Sequence, residues 1–457
     1  MSQKHLSRRD FLKFSSGIAA GTLLAACQPA ATPVSTKAPA TSAPATAAPA
    51  KQTVKLRWWG GVPDVSGPKQ SIEAWNKANP DIQVEYVQYS NNDEGNVKLD
   101  TALLVPNEVD VFVSYGLARF KKRADGGLVE PLDNYLAGFD PDKEFGKTEN
   151  KWDGKTWCLI ANMQPYLVYC NVKAFEEAGL KVPTSWTWAE FYDTAKKLTK
   201  GSGPQKRYGV WLNPAGQEPA LWIKDNDFIY KGSCETNFDD PLFEWSFGHR
   251  VKLELEDKTG LAQPDIIAGK IQVQNAFLQG QVAMLVVGSW VLRYVKDLTN
   301  FPRDWKTAFA PLPMDADKAY TVRPGNCDDR VAINAKSNNK AAAWKFMKWW
   351  TTEGYVNMTP FGRTTLWRGR KPEESAQALI SDFPDYAKYF DVDTYKSVMF
   401  GKMDMSFPRS TQTVGLAEIN QVVTEESQKI FLGESKLKDG LAAMKKRADE
   451  AVKKVCK

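Results

Sequence analysis

The sequence predicts an α/β protein built from two strand–helix blocks and a helical C-terminal part. Short apolar or alternating segments take turns with segments of helical period. That alternation begins afresh after the first 160 or so residues. From Ala341 onward, apolar residues recur mostly at helical spacing.

Thr53 to Gly61 alternates and then reaches Gly60-Gly61, which predicts a strand running into a turn. Ser71 to Ala78 predicts a helix stopped at Asn79-Pro80, since proline disfavours helical backbone in the residue before it. Ile82 to Val87 alternates cleanly and predicts a second strand. A helix near Val97 to Leu104 and an apolar strand at Val109 to Val113 close the first block. The second block has a strand at Leu167-Val168-Tyr169 and a short helix at Val172 to Gly179. A helix at Trp188 to Leu198 with Thr187 as N-cap and a strand at Tyr208 to Leu212 follow. Helices are expected at 341–350, 414–430 and 436–455. The repeated alternation predicts a parallel sheet with helices on its faces.

A segment of another kind precedes this body. Ser7-Arg8-Arg9-Asp10-Phe11-Leu12-Lys13 puts paired arginines before an apolar run, Gly17 to Ala26, that ends at Cys27. A positive head, a short apolar core and small residues before a cut site describe a secretory signal. The arginine pair resembles a twin-arginine export signal, the general route being the alternative. Leu24-Ala25-Ala26-Cys27 resembles the lipobox of bacterial lipoproteins, in which the cysteine sulfur receives a lipid. The apolar run has about ten residues, against the roughly twenty a helix needs to cross the hydrocarbon. Gln28 to Ala50 is almost entirely Ala, Pro, Thr and Ser, so it has nothing to bury and reads as a disordered tether. The expected organisation is a signal over 1–27 with lipidation at Cys27, a tether over 28–51, and a body anchored by lipid to the outer (or periplasmic) face of the cell membrane.

Residues 1–50 hold five Lys/Arg and one acidic residue, so only +2 of the formal +6 belongs to the body. With no long basic run, nucleic acid is not an expected partner. The only histidines are His5 and His249, too few for a His-based triad or metal cluster. His249 reads as a packed helix residue. No GxSxG, HExxH or P-loop occurs. No catalytic residue, cofactor or metal is therefore expected. Cys158, Cys170, Cys234, Cys327 and Cys456 remain after Cys27; the number is odd, no CxxC occurs, and the pairing stays open.

Four stretches, in order, carry a resemblance. They are Val109-Asp110-Val111 through Gly127 to Leu132; Leu167 to Leu180 followed by Pro183 to Phe191; Ala276 to Met284 followed by Gly288-Ser289-Trp290; and Ala332 to Ser337 followed by Lys340 to Trp350. Together they resemble the bacterial extracellular solute-binding proteins, family 1, over nearly all of residues 52–432. The resemblance implies a two-lobe, periplasmic-binding-protein-like clamp of type II topology. It places lobe 1 at 52–162 plus 288–328 and lobe 2 at 163–287 plus 329–457. The chain would cross near Asn162 to Pro165, Val286 to Gly288, and Gly325 to Asp328. Such proteins act as monomers that hand a solute to the membrane subunits of an ABC importer. The family mostly handles sugars, so a carbohydrate is the expected ligand. A glycerophosphate- or polyamine-like solute, or a tethered glycosidase, is the alternative. Departures from the family pattern are Cys170 in place of Tyr before Asn171, Gly325-Asn326 in place of Gly-Gly, and no Trp in Ser406 to Asn420.

A sugar presents apolar C–H faces and hydroxyl edges, so its site combines aromatic platforms with planar polar groups. Ligands of doubly wound sheets meet the loops after the carboxyl ends of strands. Position therefore points to Trp59, Tyr115, Trp211 and Glu218, while Trp58 on the opposite face of its strand is expected in the core. The resemblance adds Gln164, Trp290 and Asn326 at the crossings, and Arg363 and Trp367 in a loop over 361–367. A cleft arginine would suit a carboxylate or phosphate and keeps acidic sugars in view.

Overall fold

The computed structural model describes residues 53–214, 216–401 and 406–456. The signal, the tether and Cys27 lie outside the described residues. Strand Val54–Gly60 pairs in parallel with Ile82–Gln88 on one side and Val111–Ser114 on the other. Helix Pro68–Ala78 starts with proline at its first turn, where the missing N–H is no loss, and buries Trp75. Helix Lys340–Thr351 covers the sheet as well, its Trp350 ring lying 4.6 Å from Trp58.

Beyond this parallel part the sheet is mixed, which differs from the all-parallel expectation. Gly325–Ile333 runs antiparallel to both Val111–Ser114 and the first half of Leu159–Asn171. The long strand Leu159–Asn171 continues as the antiparallel partner of Val282–Gly288, which pairs in parallel with Tyr208–Leu212. The sheet therefore has two halves that share one strand. Pro165 sits at the join, facing Gly325, while Gly288 faces Tyr166. Proline removes a ladder donor, so its place between the two hydrogen-bonded halves fits its chemistry.

Strand pairing divides the second part of the chain differently from the expected lobe boundaries. Thr307–Ala310, expected in lobe 1, pairs with residues 168–171 in the half that carries Tyr208–Leu212. Residues 330–333, expected in lobe 2, pair with Val111–Ser114 in the other half. Both segments are short and apolar, and only hydrogen-bonded register shows which half each extends.

Helix Trp188–Leu198 opens on a complete capping box: the Thr187 hydroxyl accepts from Glu190 N–H while Glu190 accepts from Thr187 N–H at 2.7 Å. The C-terminal part is helical. Leu416–Phe431 and Leu437–Val455 pack with helix Pro241–Val251 around Phe243, Phe247, Ile430 and Met444. Cys234 and Cys456 form a disulfide that ties the last helix to a small hairpin, with Cα atoms 5.7 Å apart. His249 is buried, as expected of a packed helix residue, and stacks on Trp188 with ring centroids 3.5 Å apart.

Candidate functional site

A cleft of about 400 Å³ opens where the two halves of the sheet meet. Its floor is built by the crossing strands. Gly325 has φ +133°, and a Cβ there would lie 2.4 Å from the Gln164 carbonyl oxygen; only glycine lets the two strands approach this closely. Asn326 follows it, exposed to the cleft. One wall comes from the turn after Val111–Ser114. Gly116, at φ +77°, turns the chain into helix Leu117–Asp125 and places Tyr115 at the cleft. The Tyr115 hydroxyl accepts a hydrogen bond from Gly61 N–H at 3.0 Å, which fixes the ring. The opposite wall carries Glu218 at the start of helix Glu218–Lys224, with its carboxylate accepting from Gly216 N–H at 2.9 Å.

A polar chain crosses the cleft. Gly116 N–H donates to Asp328 at 3.2 Å, and Arg330 donates to Asp328 at 2.8 Å and to Glu149 at 2.6 Å. Glu149 in turn accepts from Ser410 N–H at 2.7 Å and from the Asn226 amide at 3.4 Å. Glu149 precedes the crossing strand. Ser410 sits on a segment bound to the 225–227 loop, because Asp225 accepts from Arg409 N–H and Asp227 accepts from Thr411 N–H at 2.8 Å. Glu149 therefore bonds one half of the molecule to the other. Burial pushes the Asp328 carboxyl up to about 6, against the opposing pull of Arg330.

Of the residues singled out from sequence, Tyr115, Glu218 and Asn326 come together around this cleft. The other six do not line it. Trp59 is 3% exposed and its indole donates to the Glu108 carbonyl at 3.1 Å. The strand is covered on both faces, so alternation buries Trp58 and Trp59 alike. Trp211 is buried in the core for the same reason. Gln164 is a half-buried register partner of Asn326, and its neighbour Tyr166 reaches the cleft instead. Trp290 packs edge-on against Tyr294 at 6.2 Å. Trp367 donates to Glu144 at 2.8 Å. Arg363 is consumed by a buried ion pair with Asp329 at 2.6 Å, with the Tyr355 hydroxyl on the same carboxylate. A paired guanidinium of this kind serves structure rather than an acidic ligand.

Sequence reasoning missed Tyr166, Glu149, Asn226 and Ser410. Tyr166 carried a signal, since it stands beside the predicted crossing. The other three lie in loops whose place depends on long-range contacts.

The lining suits a neutral polar molecule. Tyr115 and Tyr166 offer partly exposed rings, and Asn226 and Asn326 offer planar amides. Arg330 and Asp328, both in the lining, are already paired with each other, and Arg330 also with Glu149.

Comparison with known proteins agrees with this architecture. A family model described as bacterial extracellular solute-binding protein matches residues 59–357. A maltotriose-binding protein of Pyrococcus abyssi is 37% identical over 299 residues, 61% of this chain and 57% of that one. An uncharacterized lipoprotein of Streptomyces antibioticus is 32% identical over 166 residues, 35% of each chain. The crystal structure of a sugar transporter from Rhizobium etli, in an open conformation, matches with a TM-score of 0.71 at 20% identity, covering 88% of this chain and 99% of that one. That likeness is one of fold, a two-lobe clamp with a mixed sheet and helices.

Proposed function

We propose, because this chain belongs to the bacterial extracellular solute-binding proteins, that its cleft captures a neutral sugar or oligosaccharide and delivers it to the membrane subunits of an ABC importer. The observation that carries the reading is the pairing of partly exposed Tyr115 and Tyr166 with amide and carboxylate groups in one cleft between two halves. Rings cover the C–H faces of a sugar and planar groups bond its hydroxyls in pairs. The maltotriose named for the Pyrococcus relative and the sugar named for the Rhizobium structure support this class of ligand.

The sugar is held without turnover. It bridges both lobes only when they close, so it shifts the open–closed equilibrium by its differential contacts. Strand pairing favours one lobe that holds Val54–Gly60, Ile82–Gln88, Val111–Ser114 and residues 330–333. The other lobe holds Tyr208–Leu212, Val282–Gly288 and Thr307–Ala310. The body works as a monomer, tethered by a lipid on Cys27; the lipoprotein named for the Streptomyces relative supports that anchor. A thermal-shift screen of mono-, di- and oligosaccharides, acidic sugars, glycerophosphates and polyamines tests the ligand class. Stabilisation by neutral oligosaccharides with no product formed is the expected outcome. Stabilisation only by the anions or polyamines, or steady hydrolysis of a bound oligosaccharide, would reject it.

A further inference from the structure

Behind the crossing strands lies a second cavity of about 380 Å³. Strand alternation puts it on the face opposite the cleft. On Gly325–Ile333, Asn326 and Asp328 line the cleft, while Cys327 and its register partner Met163 reach the rear cavity. Along 407–410 the same alternation holds: Pro408 and Ser410 line the cleft, Phe407 and Arg409 the rear. Among the described residues, Cys327 alone lies on both linings.

The rear cavity is strongly basic. Among the described residues its charged lining is Lys147, Arg323, Arg368 and Arg409 against one acid, Asp142. Asp142 is already held by Lys151 at 2.9 Å. Arg323 is occupied with the main-chain carbonyls of Val398 and Met399. Arg409 differs: its Nε is buried and has no hydrogen-bond partner. Buried donors of this kind are nearly always satisfied by something. Among the described residues, Arg368, Arg409 and Lys147 form no ion pair, although all three border one cavity. Neighbouring cations without a carboxylate between them repel one another unless an anion is supplied.

We infer that the rear cavity is a second binding site for a small molecule bearing an oxyanion, with Arg368 and Arg409 as forked donors and Lys147 as a point charge. Guanidinium groups match the two-oxygen edge of a carboxylate or phosphate. Among the described residues, the two arginines of the main cleft are already paired, Arg330 with Glu149 and Asp328 and Arg119 with Asp93.

Thermal unfolding and calorimetry of the full chain with inorganic phosphate, and separately with citrate, test this at constant ionic strength set with sodium chloride. A saturable rise in the unfolding midpoint with either anion is expected, and the responding anion tells phosphate from carboxylate chemistry. Arg368→Gln and Arg409→Gln should each weaken that binding about tenfold or more, a loss of one charge-assisted contact. Arg368 is exposed, so its variant reports on the site even if Arg409→Gln folds poorly. No saturable response to either anion, or an unchanged response in Arg368→Gln, overturns the inference. Neither readout uses a sugar, so it can fail or succeed independently of the function proposed for the cleft.

Discussion

Glu149 is the most informative residue to change, because it joins the two halves directly. Its carboxylate accepts from Ser410 N–H at 2.7 Å, and that N–H is fixed because its neighbours are bound to Asp225 and Asp227. A hydrogen bond to a charged group contributes about 1.5–3 kcal/mol, and a neutral one about 0.5–1.5. The bond to Ser410 spans the two halves, so their separation would break it. Glu149→Ala should therefore disfavour the joined state by about 1.5–3 kcal/mol, or roughly 10- to 150-fold. Glu149→Gln keeps an acceptor and should cost about 1 kcal/mol, roughly fivefold. Arg330 retains Asp328 at 2.8 Å in both variants, so the protein should still fold. Two assays report on the shift. Scattering of the unliganded Ala variant should give a larger radius of gyration than the parent, with Gln between. Calorimetry with maltotriose as probe should show affinity falling in the same order. Parent and Ala variant alike in both assays would mean that Glu149 does not hold the halves together.

Three further outcomes follow from the packing. Burial lowers the His249 pKa from its ordinary 6.5 to about 3, with Lys318 adding to the effect. A depressed folded-state pKa gives stability that is complete above pH 6.5 and is lost as pH falls toward 3, by about 1.4 kcal/mol per pH unit; urea unfolding at pH 7, 5 and 4 should show His249→Gln losing less than the parent, and parallel curves would refute this. Replacing Cys234 by serine opens a link across 222 residues and should cost about 5 kcal/mol at most on loop entropy; an unchanged denaturation midpoint would show that the bond restrains only the chain end. Gly325→Ala pushes a Cβ to 2.4 Å from the Gln164 carbonyl at φ +133°, so about 1–3 kcal/mol of stability should go, together with binding at the crossing; a fully stable variant would contradict the required close approach.

Local pattern made the secondary structure legible. Alternation at Ile82 to Val87 and the Thr187 cap both read directly, since each depends on neighbours in sequence. The strand Leu159–Asn171 read only as 167–169, because Pro165 and the polar Asn162 and Gln164 break its apolar pattern at the join. The lobe boundaries slipped for a related reason: register between distant strands leaves no local trace. Tyr115, Glu218 and Asn326 lie on the cleft lining, since strand ends and crossings bring residues to where the two halves of the sheet meet. The pairing of Arg363 was not legible, because its partner Asp329 lies 34 residues away and nothing local announces a buried pair. Trp59 stands at the carboxyl end of its strand, as read, yet its ring turns into the core and its indole bonds the Glu108 carbonyl.

Calorimetric titration of the parent protein with maltotriose and other neutral oligosaccharides, with Tyr166→Ala as the paired control, shows whether the cleft takes a neutral sugar. One-to-one binding at micromolar affinity or tighter, about 8 kcal/mol, is predicted for at least one sugar, together with a clear loss of affinity in Tyr166→Ala. No binding by any of them in the parent protein, or affinity untouched by Tyr166→Ala, would mean that the cleft is not a neutral-sugar site.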